Sequence, residues 1–261
     1  MNKGIYPALS GGVAYERLLT IISNNVANIN TAGYKADRPV FKVDLPSAAL
    51  EGNNPTIPPF NEGAGLPLLR SIATGRVGLD DKFYTEIDSM FTDFSAGVIK
   101  QTGNSLDLAI EGDGFFVIDS PDGPRYTRSG NFTLDASNML TTVDGDMVSG
   151  DNGPIILEQG RITIDSEGRV SVNGSEVNRI RIVDFDRPYN LEKDQGNMFA
   201  GLGEKTAEGY KILQGAIELS NVNSVKEMAS MITVLRGYES YQKVMTTLDE
   251  TTAKANEVGR V

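Results

Sequence analysis

Apolar positions recur at helical spacing at both ends of this chain and at strand spacing in between. Near the start, Ile5, Leu9, Val13, Leu18, Ile22 and Val26 share one face, with polar residues such as Glu16, Arg17 and Asn25 between them, which predicts an amphipathic helix. Asn24, Asn25, Asn28 and Asn30 then carry carboxamides that compete for backbone hydrogen bonds, so the helix is predicted to fray near Ala27 to Asn30. Gly33 supplies a positive φ if the turn requires one. This stop carries more polar side-chain groups than a stop needs. Some of them are expected to bond elsewhere, in the same chain or in a neighbouring one.

A second helical pattern runs from Ser224 to about Glu257, without proline and with Gly237 as its interior glycine. Met231, Val234, Tyr238, Tyr241, Met245, Leu248, Thr252 and Ala255 alternate in heptad steps. Beside them lies another stripe, Val225, Met228, Ile232 and Leu235. One neighbouring helix covers one stripe; two adjoining stripes imply a further partner, unless the helix is buried within one large domain.

Between the helices, Asp37 to about Lys100 is interrupted by Pro39, Pro46, Pro55, Pro58, Pro59 and Pro67 and reads as an extended connector. From Thr102 to about Leu213, short apolar or alternating runs are bounded by turn residues: Leu106 to Ile110, Phe115 to Ile118, Phe132 to Leu134, Ile155 to Leu157, Ile162 to Ile164, Val170 to Val172 and Ile180 to Val183. Asp122-Gly123, Asp144-Gly145 and Asn173-Gly174 suit tight hairpins. The expected fold is α+β: long N- and C-terminal helices pairing as an inner coiled-coil domain (1–36 and 215–261), an irregular connector (37–100), and a central, mainly antiparallel β domain (101–214).

Composition removes much chemistry. The 261 residues contain no Cys and no His, so disulfides, thiol nucleophiles, thiolate metal sites and the commonest general base and zinc ligand are all missing. Thirty-five acidic residues against 24 basic ones give a net charge of −11, which argues against nucleic acid as a partner. No window is apolar for long enough to span a bilayer, and the start lacks the pattern of a secretory signal. Glu111-Gly112-Asp113-Gly114 and Asp144-Gly145-Asp146 bring carboxylates together, yet Val148 stands where a calcium loop needs Asp or Asn, and no glutamate closes the loop. Turn chemistry explains both. A carboxylate-only enzyme would need Asp113 and Asp146 to line a deep cleft, so the chain reads as a non-enzyme with no catalytic, cofactor or metal residues. Tyr126-Thr127-Arg128 and Arg236 are expected to be structural, the arginines pairing with the abundant carboxylates.

Four blocks carry a resemblance. Residues 23–35, Ser-Asn-Asn-Val-Ala-Asn-Ile-Asn-Thr-Ala-Gly-Tyr-Lys, resemble the N-terminal signature of the bacterial flagellar rod and hook proteins. Residues 101–116, beginning Gln-Thr-Gly-Asn-Ser-Leu-Asp-Leu, resemble that family's passage into its β domain; 126–135 and 214–223 agree in order and separation. Within the family the proximal-rod type (FlgF) is favoured over the distal-rod type (FlgG), from residues 1–12 and 93–101. One departure is Asn138 where the family usually has a turn glycine; Asn reaches the same left-handed conformation, so the hairpin is expected to survive.

The resemblance implies a structural subunit of the flagellar basal-body rod that polymerises through its terminal helices and transmits torque across the periplasm. The alternatives are a distal-rod or hook-type subunit, or an unrelated extracellular filament subunit. It also implies an inner helical layer and an outer β layer, export by the flagellar type III apparatus without a cleaved signal, and partners that are copies of itself and other rod subunits, including the hook-proximal rod. Absence of cysteine suits assembly in an oxidising periplasm. Residues expected at subunit contacts are Ile5, Leu9, Val13, Leu18, Ile22 and Val26 on the first helix, and Asn24, Asn25, Asn28, Asn30, Thr31, Gly33 and Tyr34 around its end. On the last helix they are Val225, Met228, Met231, Ile232, Val234, Leu235, Tyr238, Tyr241, Met245 and Leu248.

Overall fold

The computed structural model describes residues 5–44, 84–194 and 197–258. Helix α1 spans Ile5–Ala27 and helix α2 spans Ser224–Val258, with short strands between them. The chain divides into two compact units, one of Met1–Ile21, Pro39–Met90 and Ser230–Val261, the other of Ile22–Arg38 and Phe91–Ala229. The ends of the connector form strands Asp37–Asp44 and Tyr84–Thr92, which pair in a two-stranded sheet. The rest of that expectation, residues 45–83, lies outside the described residues.

The β unit is organised around strand Phe115–Ser120, which pairs antiparallel with Gly123–Thr127, Met147–Gly150 and Ile182–Asp184. Its side chains alternate between two cores. Phe116 and Ile118 join Leu108, Ile110, Phe132, Leu140 and Val148, whereas Phe115 and Val117 join Tyr126, Phe185 and Phe199. A strand buried on both faces must be apolar throughout, which is why Phe-Phe-Val-Ile stands there as an unbroken run. Edge-to-face rings of Phe115, Phe185 and Tyr189 tighten the second core. Asn173 and Gly174 both adopt positive φ in their hairpin, and Asn138 sits at φ 60°, the left-handed conformation expected of it. At the base of the unit, strand Ile99–Gln101 pairs with Ala216–Glu218, so the chain leaves the β unit beside the point where it arrived.

The fold expectation needs correction at the helices. Among the described residues there are two helices and a large, mainly antiparallel β unit, and no coiled coil of two long terminal helices. α1 has 23 residues and α2 has 35. The two touch through tyrosines set against glycines: a Cβ on Gly12 would stand 3.0 Å from the Tyr241 ring, and one on Gly237 would stand 2.7 Å from the Tyr15 ring. Tyr238 donates to Glu16 Oε1 at 3.2 Å. A ring laid over a glycine needs a local gap on the facing helix rather than a repeating hole, so this contact does not propagate as a heptad seam. It also explains Gly237, which would otherwise cost helix stability.

Candidate subunit interface

Two regions carried the expected interface residues: the end of α1 with the turn that follows, and the long face of α2. At the first, the asparagines are at work inside the chain. Asn25 is 1% exposed; its Nδ2 donates to the Asp37 carbonyl at 3.0 Å, and its Oδ1 accepts from the Asp37 amide at 3.0 Å and from the Tyr34 hydroxyl at 3.2 Å. The carboxamide thus pairs with both backbone groups of one residue, as a strand neighbour would. Asn28 Nδ2 donates back to the Asn24 carbonyl at 2.9 Å, beside the Asn28 amide that donates to the same oxygen at 3.2 Å, and Asn28 Oδ1 accepts from Thr31 Oγ1 at 3.1 Å. Ile22, Gly33 and Tyr34 are buried, Leu18, Val26, Asn28 and Thr31 are half-buried, and Val13, Asn24 and Asn30 are exposed. Ile5 and Leu9 lie on the first turns of α1.

Beyond the turn lies a cluster that spacing alone could not reveal. Lys35 Nζ donates to Glu218 Oε1 at 2.7 Å and to the Ser95 carbonyl at 2.8 Å. The same Oε1 accepts from the Gly97 amide at 2.8 Å, and Arg128 Nη1 stands 3.5 Å from Oε2. Arg128 is also spent on the carbonyls of Ile110 and Gly112, at 3.2 and 2.6 Å, and so is structural, as expected. The side chains of Lys35 and Glu218 are 1% and 2% exposed. Burial pushes the Lys35 ammonium below the ordinary lysine range, with Glu218 pulling the other way. One sequence signal pointed here: Ala216 and Glu218 alternate onto the same inward face of a strand, and an acid at an inward position needs a cation.

Further polar contacts complete the region. Asn221 Oδ1 accepts from the Ala36 amide at 2.8 Å while its Nδ2 donates to the Asp93 carbonyl at 2.7 Å. Lys193 Nζ reaches the Lys35 carbonyl at 3.0 Å and Asp37 Oδ2 at 2.9 Å, and lies 4.0 Å from the Tyr34 ring centroid. Asn197 donates to the Ala32 carbonyl at 3.0 Å. Gly33, at φ +66°, gives its amide to the Glu218 carbonyl at 2.8 Å, and a Cβ there would meet the Ser129 nitrogen at 2.2 Å.

α2 begins on an N-cap, Asn223 Oδ1 accepting from the Lys226 amide at 3.0 Å, with buried Glu227 in the first turn bound to Arg38 at 3.1 Å. Along the helix the two stripes differ. Met231, Val234, Tyr238, Tyr241 and Met245 are half-buried, whereas Val225, Met228, Ile232 and Leu235 are 76%, 53%, 53% and 42% exposed. Leu248 continues the first stripe along the helix backbone.

Nothing in the described residues assembles a reaction. Asp113 is exposed and paired with Arg187, and the cavity of about 190 Å³ between strands is lined by Asp151, Glu167, Arg179 and Tyr210 among others, not by Asp113 and Asp146. Among the described residues no helix is long and apolar enough to cross a membrane, and no acidic cluster has the makings of a metal site.

Among the described residues one helix precedes and one follows an antiparallel β unit in sequence, and α2 carries exposed apolar side chains. Residues 6–35 match the family description "Flagella basal body rod protein", 109–172 match "Flagellar hook protein FlgE/F/G D1 domain", and 213–258 match "Flagellar basal body rod FlgEFG protein C-terminal". The chain is 34% identical to the flagellar basal-body rod protein FlgG of Bacillus subtilis over 96% of each chain. It is 30% identical to the flagellar basal-body rod protein FlgF of Caulobacter vibrioides over 98% of each, and 28% identical to the hook-basal body complex protein FlhO of Bacillus subtilis over all of each. The chain belongs to the flagellar basal-body rod protein family, whose members are structural and not enzymes, and it is a rod subunit of the flagellar basal body. Lys35, Arg128 and Glu218 each come from a different one of the three matched segments.

Proposed function

We propose that this subunit is of the proximal-rod type and builds into the periplasmic shaft by laying the exposed stripe of α2 against neighbouring rod subunits, so that motor torque passes through packed helical surface. The single observation behind this reading is the unpartnered run Val225, Met228, Ile232 and Leu235, on a helix whose adjacent stripe is already half covered. Close-packed apolar interfaces resist shear, and burying each such side chain yields about 1.5–3 kcal/mol, enough for a few per subunit to hold a polymer. Met231, Val234, Tyr238, Tyr241, Met245 and Leu248 continue that contact surface. Relatives named FlgG align at 33–34% identity and relatives named FlgF at 26–31%, each over more than nine-tenths of the chain, while residues 1–12 and 93–101 resemble the proximal type. Passage through the flagellar export apparatus accompanies this reading.

Complementation tests it. The gene is expected to restore motility to a strain lacking its proximal-rod protein, and a reconstruction of the resulting basal body is expected to place the subunit at the motor-proximal end of the rod. Rescue only of a strain lacking the distal-rod protein would assign it to the other type.

A further inference from the structure

We propose that residues 28–37 form a detachable strap, docked on the β unit through the buried carboxylate of Glu218, which can release while the β unit stays folded. The observation is a mismatch between how this segment is held and how the β unit is held. Both cores of the β unit are complete without it: their buried members run from Leu108 to Ile212 in one and from Phe115 to Phe199 in the other. The strap contributes only to a separate small cluster, in which Tyr34 and Ala36 meet Val222 with Ile29 against them. Its hold on the β unit is polar, through Lys35 to Glu218, Asn197 to the Ala32 carbonyl, and Lys193 to Asp37. Residues 32–36 are buried, yet none of them belongs to either core, and a segment attached outside the cores chiefly by hydrogen bonds and ion pairs can open as its own cooperative unit.

Glu218 is the positioning residue in this device. Its carboxylate is the one anion between two buried cations, Lys35 on the strap and Arg128 on the β unit, and its Oε1 also holds the Gly97 amide. Neutralising it leaves two buried cations facing each other, and the cheaper response is for Lys35 to leave, because Arg128 keeps the carbonyls of Ile110 and Gly112. Gly33 closes the same contact sterically, since any side chain there strikes the Ser129 nitrogen.

Hydrogen exchange on the full chain tests this, comparing peptides covering 28–37 with peptides covering 115–127. Glu218→Gln is expected to speed exchange of the strap by about tenfold or more while leaving the 115–127 strands unchanged. Lys35→Met with Glu218→Gln removes the stranded charge, keeps an acceptor for Gly97, and is expected to restore strap protection, a rescue that a merely damaged fold would not show. Gly33→Ala releases the strap with every charge in place. In the wild-type chain, dilute guanidinium is expected to expose 28–37 before 115–127. Unchanged strap exchange in Glu218→Gln and Gly33→Ala, or release of strap and strands together in any of these measurements, overturns the proposal.

Discussion

Tyr34 shows how much one side chain of the turn carries. Its ring lies under the Lys193 ammonium, its hydroxyl donates to Asn25, and burial, reinforced by the charges of Asp37 and Glu227, pushes its pKa up to about 12. A phenol with a raised folded-state pKa stabilises the docked form fully below the ordinary value near 10.0 and loses that contribution as pH rises through about 12. Tyr126, bonded to Glu204, is pushed to about 12 as well, and burial raises Tyr189 and Tyr241, so phenolate absorbance is expected to show several late-ionising tyrosines, Tyr34 among them. Tyr34→Phe should remove one of them and cost about 1 kcal/mol for the lost hydrogen bond, more if the Asn25 carboxamide is left under-satisfied. An unchanged late step would mean that Tyr34 is not buried in solution. Single residues of this kind were legible only by type. The excess of carboxamides after α1 signalled bonds to be made, but the partner of Asn25 lies twelve residues on and that of Lys35 lies 183 residues on, and no local pattern encodes those separations.

At the level of elements, periodicity located the helices and many of the strands because burial of one face imposes a repeat on the chain. α1 stops at Ala27, where the asparagines were expected to fray it, and α2 begins at Ser224, where the apolar pattern starts. A repeat does not name what covers a face, and there the coiled-coil expectation failed: the stripes on α2 are real, but Tyr241 meets Gly11 and Gly12 rather than a matching seam on α1. Short strands with mixed composition, such as Met198–Ala200 and Lys211–Gln214, were also beyond a periodic reading, since two to four residues cannot establish a period. The exposed stripe gives a direct test of assembly. Met228→Glu with Ile232→Glu alters side chains that are each 53% exposed, so monomer stability should move by no more than about 0.5 kcal/mol per site, measured by denaturant unfolding. Motility and incorporation into purified basal bodies should be lost, because each glutamate would need desolvation in a packed interface. Full incorporation of the double variant would remove α2's exposed face from the assembly surface.

Taken as a whole molecule, the chain concentrates its stability in the β unit, and that distribution can be measured. The two cores draw every buried member from residues between Leu108 and Ile212, and the base is closed by strands Ile99–Gln101 and Ala216–Glu218. The strap, Asn221 and the first turn of α2 with Glu227 lie within residues 22–229. A fragment of residues 22–229 therefore retains the buried ion cluster and both cores, and loses most of α1 and the length of α2 beyond its start. It is expected to unfold with a midpoint within about 5 °C of the β-unit transition in the intact chain, since a shift of that size in a protein of this length corresponds to roughly 1–2 kcal/mol. Aromatic circular dichroism can follow it selectively, because the rings of Phe115, Phe116, Tyr126, Phe132, Phe185 and Phe199 all sit in the two cores. A much lower midpoint would mean that the helices stabilise the β unit. The free subunit would then unfold with its helices and its cores as one cooperative unit.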